Sequence, residues 1–327
     1  MFSAAKVRKK IGTCKKNLHM CKNCSNFAAG MAKIGVFDSG YGGLTILDAI
    51  RKEIPQYDYL YLGDNARAPY GTHSFDVIYR YTLEAVKYLL EQDCALIILA
   101  CNTASAKALR TIQQKNLILM NGENGDAALN GGMMKRNVLG VIRPTVEAVP
   151  GITKTGHVGI LATPATVSSE SYVIELEKIV ESRESKDKRP FVISQQACPM
   201  WVPLIEAGEH TGEGADYFVE KYVREILEKD PQIDTLVLGC THYPLLKEKI
   251  SRQLSAISRQ PIQIIAQGDL VAKSLADYLQ RHPEYREQLS QGGTCHYLTT
   301  ENADRFSQSA SNFLDSPVQA ESIQLGN

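Results

Sequence analysis

From Lys33 onward, short apolar runs alternate with longer stretches of helical spacing. Ile34–Phe37, Tyr59–Leu62, Leu96–Ala100, Val138–Ile142, Val158–Leu161, Phe191–Ser194, Thr235–Gly239 and Ile262–Ile265 each have the length and apolar character of a strand. Between them, Leu44, Leu47 and Ile50 fall on one face of a helix over Leu44–Lys52. Ile78, Leu83, Val86 and Leu90 do the same over Asp76–Leu90, and Phe218, Val219, Tyr222, Val223, Ile226 and Leu227 over Asp216–Leu227. Strands alternating with helices build parallel βαβ units. Pro150-Gly151 divides the pattern, with four strands on either side. Gly35-Val36-Phe37 opens the first set and Gly159-Ile160-Leu161 the second, and the third strand of each set ends at a cysteine, Cys101 or Cys240. The expected fold class is α/β, with two similar doubly wound parallel-sheet domains related by pseudo-two-fold symmetry and an active site in the cleft between them.

The expected divisions are a first α/β domain over 31–150, a second over 151–298, and a C-terminal helix and tail over 299–327. Within that tail, Ala303–Leu314 reads as a helix, followed by a terminal strand that could return to the first domain. Asn121–Asn137 is turn-rich and reads as a surface loop, and Glu181–Pro190 as a charged link. Residues 1–30 are Lys-rich, lack a period and precede a second methionine, Met31; they are expected to be disordered. Arg8-Lys9-Lys10 is not followed by the apolar segment of a secretion signal. Cys14, His19, Cys21 and Cys24 could supply four zinc ligands, but their spacing matches no common module, and no metal is expected.

Composition narrows the partners. The 327 residues can bury two cores, and 44% hydrophobic with 22% charged residues is ordinary for a soluble chain. Lys+Arg and Asp+Glu both number 36, so no global field would gather nucleic acid or an anionic membrane. No apolar run approaches the roughly 20 residues of a membrane span. Most of the eight cysteines lie in or beside apolar segments of a long chain, a pattern that suits a reducing cytoplasm better than a disulfide framework.

Ligands of open parallel sheets sit beyond the carboxyl ends of the strands. Those ends carry Asp38-Ser39-Gly40-Tyr41-Gly42-Gly43, Gly63-Asp64-Asn65 with Pro69-Tyr70-Gly71 after it, Cys101-Asn102-Thr103, and Cys240-Thr241-His242. The glycine-rich turn lacks both the G-x-G-x-x-G and the P-loop patterns, which argues against nucleotide binding; a tight strand-to-helix turn needs glycine in any case. Cys101 and Cys240 are each expected at a helix start, where the dipole and free N–H groups lower a thiol pKa from about 8.5. One such cysteine would be an ordinary core filler, as Cys94 is read. Two at matching strand ends suggest thiols facing each other across a cleft. Such a pair suits two-base stereoinversion, in which one thiolate removes an α-proton and the opposite thiol protonates the other face. His242 and Asp38 could tune the nearer thiol, while Ser39, Asn102, Thr103 and Thr241 could hold carboxylates or simply cap helices.

Ile34-Gly-Val-Phe-Asp-Ser-Gly-Tyr-Gly-Gly-Leu, Leu62-Gly-Asp-Asn-Ala-Arg-Ala-Pro-Tyr-Gly, Ala100-Cys-Asn-Thr-Ala and Leu238-Gly-Cys-Thr-His-Tyr-Pro together resemble the bacterial glutamate racemases, cofactor-independent members of the aspartate/glutamate racemase group. The resemblance runs from about Lys33 to the C-terminal tail. It implies that Cys101 and Cys240 are the catalytic acid/bases, with Asp38 and His242 as their helpers. Asp38, Ser39, Tyr70, Gly71, Asn102, Thr103, Thr241 and His242 would line the glutamate site. It further implies no cofactor, D-glutamate destined for peptidoglycan, and a homodimer as the expected assembly. The extension over 1–30 and the long Asn121–Asn137 loop depart from the family pattern without touching a motif. Three other readings stand beside it: a racemase of another acidic amino acid such as aspartate, a Cys240–His242 amidohydrolase that leaves Cys101 idle, and an amino-acid sensor with no use for either thiol.

Overall fold

The computed structural model describes residues 31–118, 134–182, 190–314 and 316–326. The N-terminal extension with its Cys/His cluster, most of the Asn121–Asn137 loop and most of the charged link lie outside the described residues. Among the described residues, ten strands form two parallel sheets. The first comprises β1 (Lys33–Asp38), β2 (Tyr59–Gly63), β3 (Cys94–Leu99), β4 (Asn137–Gly140), β9 (Cys295–Thr299) and β10 (Ala320–Ser322) in the order β10-β9-β2-β1-β3-β4. The second comprises β5 (His157–Ala162), β6 (Val192–Ala197), β7 (Thr235–Gly239) and β8 (Gln263–Ile265) in the order β6-β5-β7-β8. The second sheet thus repeats the β2-β1-β3-β4 core of the first, which is the expected pseudo-two-fold frame.

Strand composition follows position in the sheet. β2, β3 and β7 are buried along their whole length and β1 and β5 beyond their first residue, so they read as near-continuous apolar runs. Each sheet has helices on both faces. One core of the first sheet gathers Ile34, Val36, Leu96 and Ile98 beneath Leu44, Leu47 and Ile50; the opposite core gathers Phe37, Ile97 and Leu99 beneath Ile78, Val86 and Leu89. The second sheet is divided likewise between the helices Glu213–Lys229 and Lys247–Ile257 on one face and Ile142–Ile152 and Ser171–Ser182 on the other.

Three expectations need correction. The helix Ile142–Ile152 runs through Pro150, so the break between the halves comes at Thr153 and Gly156 (φ +82°) rather than at Pro150-Gly151. Proline in the last helical turn forfeits little, because the helix is ending. The chain also returns to the first sheet before residue 298. The helix Gly268–Arg281 sets Val271, Leu275 and Leu279 into a core of the first sheet, and β9 then pairs with β2, Tyr59 opposite Cys295 through Gly63 opposite Thr299. A second domain over 151–298 therefore cuts across the first sheet. Finally, β6 extends to Ala197, beyond the expected Ser194, because an edge strand tolerates Gln195 and Gln196 with one side toward solvent. Among the described residues, no helix is long and apolar enough to cross a membrane.

Candidate active site

In both sheets the strand order reverses direction between the first and third strands of the repeat, β1/β3 and β5/β7. Crevices open at the carboxyl ends of such strands, and here the two crevices meet. All ten residues singled out from the sequence line one cavity: Asp38 at the end of β1 and Ser39 after it, Tyr70 and Gly71 after β2, Cys101, Asn102 and Thr103 after β3, and Cys240, Thr241 and His242 after β7. The cavity is narrow, about 50 Å³, which suits a small linear molecule and not a nucleotide or peptide.

Glycines make this meeting of the halves possible. A Cβ on Gly42 would lie 2.3 Å from His242 Nδ1 and 2.5 Å from Thr241 Oγ1, and one on Gly40 would lie 2.7 Å from Glu206 Oε1. A Cβ on Gly71 would lie 3.0 Å from Thr163 Cβ. The glycine-rich turn is thus a surface of close approach between the two repeats.

The two thiols sit in different surroundings. Cys101 caps the helix Asn102–Lys107, its sulfur accepting from the Ala104 N–H at 3.4 Å, and its Sγ lies 3.2 Å from Ser39 Oγ. Burial pushes its pKa up to about 12, reinforced by the nearby Asp38 carboxylate and opposed by the Ser39 and Ala104 hydrogen bonds. The expected thiolate at a helix N-terminus is therefore not what the surroundings of Cys101 favour, because desolvation outweighs the dipole. Cys240 precedes not an α-helix but the 3₁₀ turn Tyr243–Leu246, ahead of the helix Lys247–Ile257. Its Sγ is 3.8 Å from His242 Nδ1, and His242 Nε2 is 3.0 Å from Glu206 Oε1. Burial pulls the imidazole pKa down, but the Cys240 sulfur on one nitrogen and the Glu206 carboxylate on the other outweigh it and raise the pKa well above its usual value. Asp38 is buried, which raises its carboxyl pKa against the opposing pull of His242 and the Gly43 and Gly40 amides. One side of the cavity thus favours an imidazolium beside sulfur, the other a protonated thiol.

Equivalent positions of the repeats explain this asymmetry. Gly159-Ile160-Leu161-Ala162-Thr163 mirrors Gly35-Val36-Phe37-Asp38-Ser39, so Thr163 stands where Ser39 does and Ala162 where Asp38 does. Thr163 Oγ1 lies 3.0 Å from Thr103 Oγ1, joining the halves by a hydroxyl pair. Apart from His242, carboxylates entering this cavity would meet neutral donors, since none of the other described residues lining it can carry positive charge.

Glu206, Thr163 and Cys198 also line the cavity and were not anticipated. Glu206 ends the helix Trp201–Glu206 after β6; ending β6 at Ser194 hid the fact that this helix begins at a strand's carboxyl end. Thr163 was legible in the repeat itself. Removing the Glu206 charge should lower the His242 pKa. In Glu206→Gln, an NMR titration of the His242 ring should therefore shift to lower pH. Because the folded-state value is raised, the stability this pair contributes is complete below the free imidazole value of about 6.5 and is lost as pH rises through the raised value. The melting temperatures of wild type and variant should accordingly converge at alkaline pH; a constant gap would refute the ion pair.

Comparisons with known proteins identify the family. The chain is 39% identical to the glutamate racemase of Ruegeria sp. (strain TM1040) over 291 residues, covering 86% of this chain and 96% of that protein. Its fold matches a glutamate racemase isoform of Bacillus anthracis (TM-score 0.72, 28% identity, 90% of this chain and 98% of the other). It also matches the glutamate racemase of Francisella tularensis subsp. tularensis SCHU S4 in complex with D-glutamate (TM-score 0.71, 28% identity, 90% and 97%). With residues 44–275 matching the family model for Asp/Glu/Hydantoin racemases, the chain belongs to that family of isomerases.

Proposed function

We propose that this protein is a cofactor-independent glutamate racemase that works by two-base proton transfer between Cys101 and Cys240. The observation carrying this reading is that two cysteines at equivalent strand ends of a repeated fold line a single small cavity. Glutamate as the substrate draws support from relatives and structural neighbours named glutamate racemase, one of them solved with D-glutamate.

In the L-to-D direction, the Cys240 sulfur, beside His242, acts as the base and takes the α-proton. Cys101, kept protonated by burial, gives its thiol proton to the opposite face. The C–H electron pair remains on the substrate as a carbanion spread into its carboxylate, and it then forms the new C–H bond to the proton from Cys101. The enzyme is left with Cys240 protonated and Cys101 as thiolate, the starting state for the D-to-L direction. The weak acidity of the α-carbon makes donors on the developing dianion decisive. Thr103 and Thr241 supply them, while Asn102 holds the substrate carboxylate equally in the ground and transition states. A substrate ammonium beside Asp38 would offset the carboxylate that opposes Cys101 ionisation. The D-glutamate made would serve peptidoglycan synthesis in the cytoplasm, and a homodimer is the proposed assembly.

The amidohydrolase reading gives Cys101 no task, and the sensor reading gives neither thiol one. Incubation of L-glutamate with pure protein in D₂O, without added cofactor, should take the optical rotation to zero, with deuterium entering only at Cα. Hydrolytic release of ammonia without Cα exchange would overturn the proposal. Racemisation of aspartate in preference to glutamate would overturn the substrate.

A further inference from the structure

Behind Asn102, on the side away from the cavity, lies a buried polar cluster whose other two members the proton-transfer scheme does not use. Asn102, Tyr172 and Gln267 are 2%, 0% and 2% exposed. They come from distant elements: Asn102 follows β3, Tyr172 lies in the helix Ser171–Ser182, and Gln267 lies between β8 and the helix Gly268–Arg281. We propose that Gln267 and Tyr172 are positioning residues that lock the Asn102 amide so that it can only donate to the substrate. The inference rests on the reading of this cavity as a glutamate site.

The polarity follows from counting hydrogens. The Thr145 hydroxyl donates to the Val141 carbonyl at 2.8 Å, so its oxygen accepts from Gln267 Nε2 at 2.9 Å. The Tyr172 hydroxyl donates to Asn102 Oδ1 at 2.8 Å, so its oxygen accepts from Gln267 Nε2 at 3.0 Å. Both Gln267 amide hydrogens are then spent, and its Oε1 accepts from Asn102 Nδ2 at 2.6 Å. Turning this ring of amides over would bring Gln267 Oε1 to within 3.3 Å of the Val141 carbonyl, where Nε2 now stands. Two acceptors facing each other in a buried site cost the full desolvation of both. A backbone carbonyl, which cannot change sign, therefore sets the direction of every bond in the ring. Asn102 Oδ1 is consumed by Tyr172 and one Nδ2 hydrogen by Gln267. The remaining Nδ2 hydrogen is the one left for the cavity that Asn102 lines. An Asn free to rotate would present its oxygen half the time and repel a carboxylate. This one is held as a donor.

The test uses Gln267→Met and Tyr172→Phe, which keep shape and remove the hydrogen bonds. For both variants KM should rise about tenfold or more for L- and D-glutamate alike, the loss expected for a hydrogen bond to a charged group. In both, kcat should stay within about threefold, and the pH profile should not move, since the thiols and His242 are untouched. Adding Asn102→Ala to Gln267→Met should raise KM no further than Asn102→Ala alone, because residues acting through one group are not additive. A merely structural role would lower the melting temperature with KM unchanged, or would add to Asn102→Ala; either result overturns the inference. Should Gln267→Met fail to fold, Tyr172→Phe carries the same test. A wild-type protein that does not racemise glutamate would refute the functional reading itself, whereas an active wild type with unchanged KM in the variants refutes only the positioning role.

Discussion

Cys101→Ser and Cys240→Ser are each expected to cut glutamate racemisation in both directions by about three orders of magnitude, within the range ascribed to a single positioned acid or base. Serine keeps the size and the hydrogen bonds of the site but holds its proton far more tightly than a thiol. Under the proposed mechanism the loss is bidirectional, because each residue serves as base in one direction and as acid in the other. Binding should persist, since Ser39, Asn102, Thr103 and Thr241 remain to hold the carboxylates. The discriminating experiment uses an α-substituted glutamate that eliminates after a single proton abstraction. Cys101→Ser should still eliminate from the L-enantiomer, which the proposed mechanism assigns to Cys240, and Cys240→Ser from the D-enantiomer. Equal processing of both enantiomers by both variants would refute the two-base assignment.

That experiment also bears on the unequal surroundings of the thiols. Cys101 is buried beside Asp38 and pushed up to about 12, whereas Cys240 has His242 and Glu206 behind it. The proposed chemistry is symmetric and the surroundings are not: Ser39 and a helix cap stand beside one thiol, an imidazole–carboxylate pair beside the other.

The parts of this protein legible from its sequence are those in which burial imposes a pattern. β1, β3, β5 and β7 occupy the centres of their sheets, so their apolar runs marked both the repeat and the cysteines at its strand ends. β9 escaped notice because Cys295-His-Tyr-Leu-Thr is half exposed at its start and borrows its place from β2, a partner more than two hundred residues away in sequence. Glu206 was hidden for a related reason: Gln195 and Gln196 look unlike a strand until the edge position of β6 is known. The raised pKa of Cys101 lay beyond the sequence altogether. A helix start is visible in residue order, but the desolvation that overrides its dipole depends on which residues of the other half close over it.

Gly42 carries the second large expected effect, and its importance comes from the same closure of one half on the other. Its backbone, φ −59° and ψ −33°, is right-handed helical, so alanine would be acceptable to the local fold. The added methyl has nowhere to go. Its carbon would stand 2.3 Å from His242 Nδ1, the nitrogen that faces the Cys240 sulfur, and 2.5 Å from Thr241 Oγ1. Both neighbours are buried, so the halves must separate or the imidazole must leave its place between Cys240 and Glu206. Displacement of about 1 Å at reacting groups is worth about 100-fold in rate, and Gly42→Ala should lose at least that much in kcat while remaining folded. Gly151→Ala, with nothing within 4 Å of the new carbon, is the matched control and should be indistinguishable from wild type in rate. Because the clash falls on the Cys240 side, single-abstraction elimination from the L-enantiomer should suffer more than from the D-enantiomer. If Gly42→Ala retained wild-type kcat, or lost both eliminations equally, the close packing of the turn against His242 would not be what holds the second base in position.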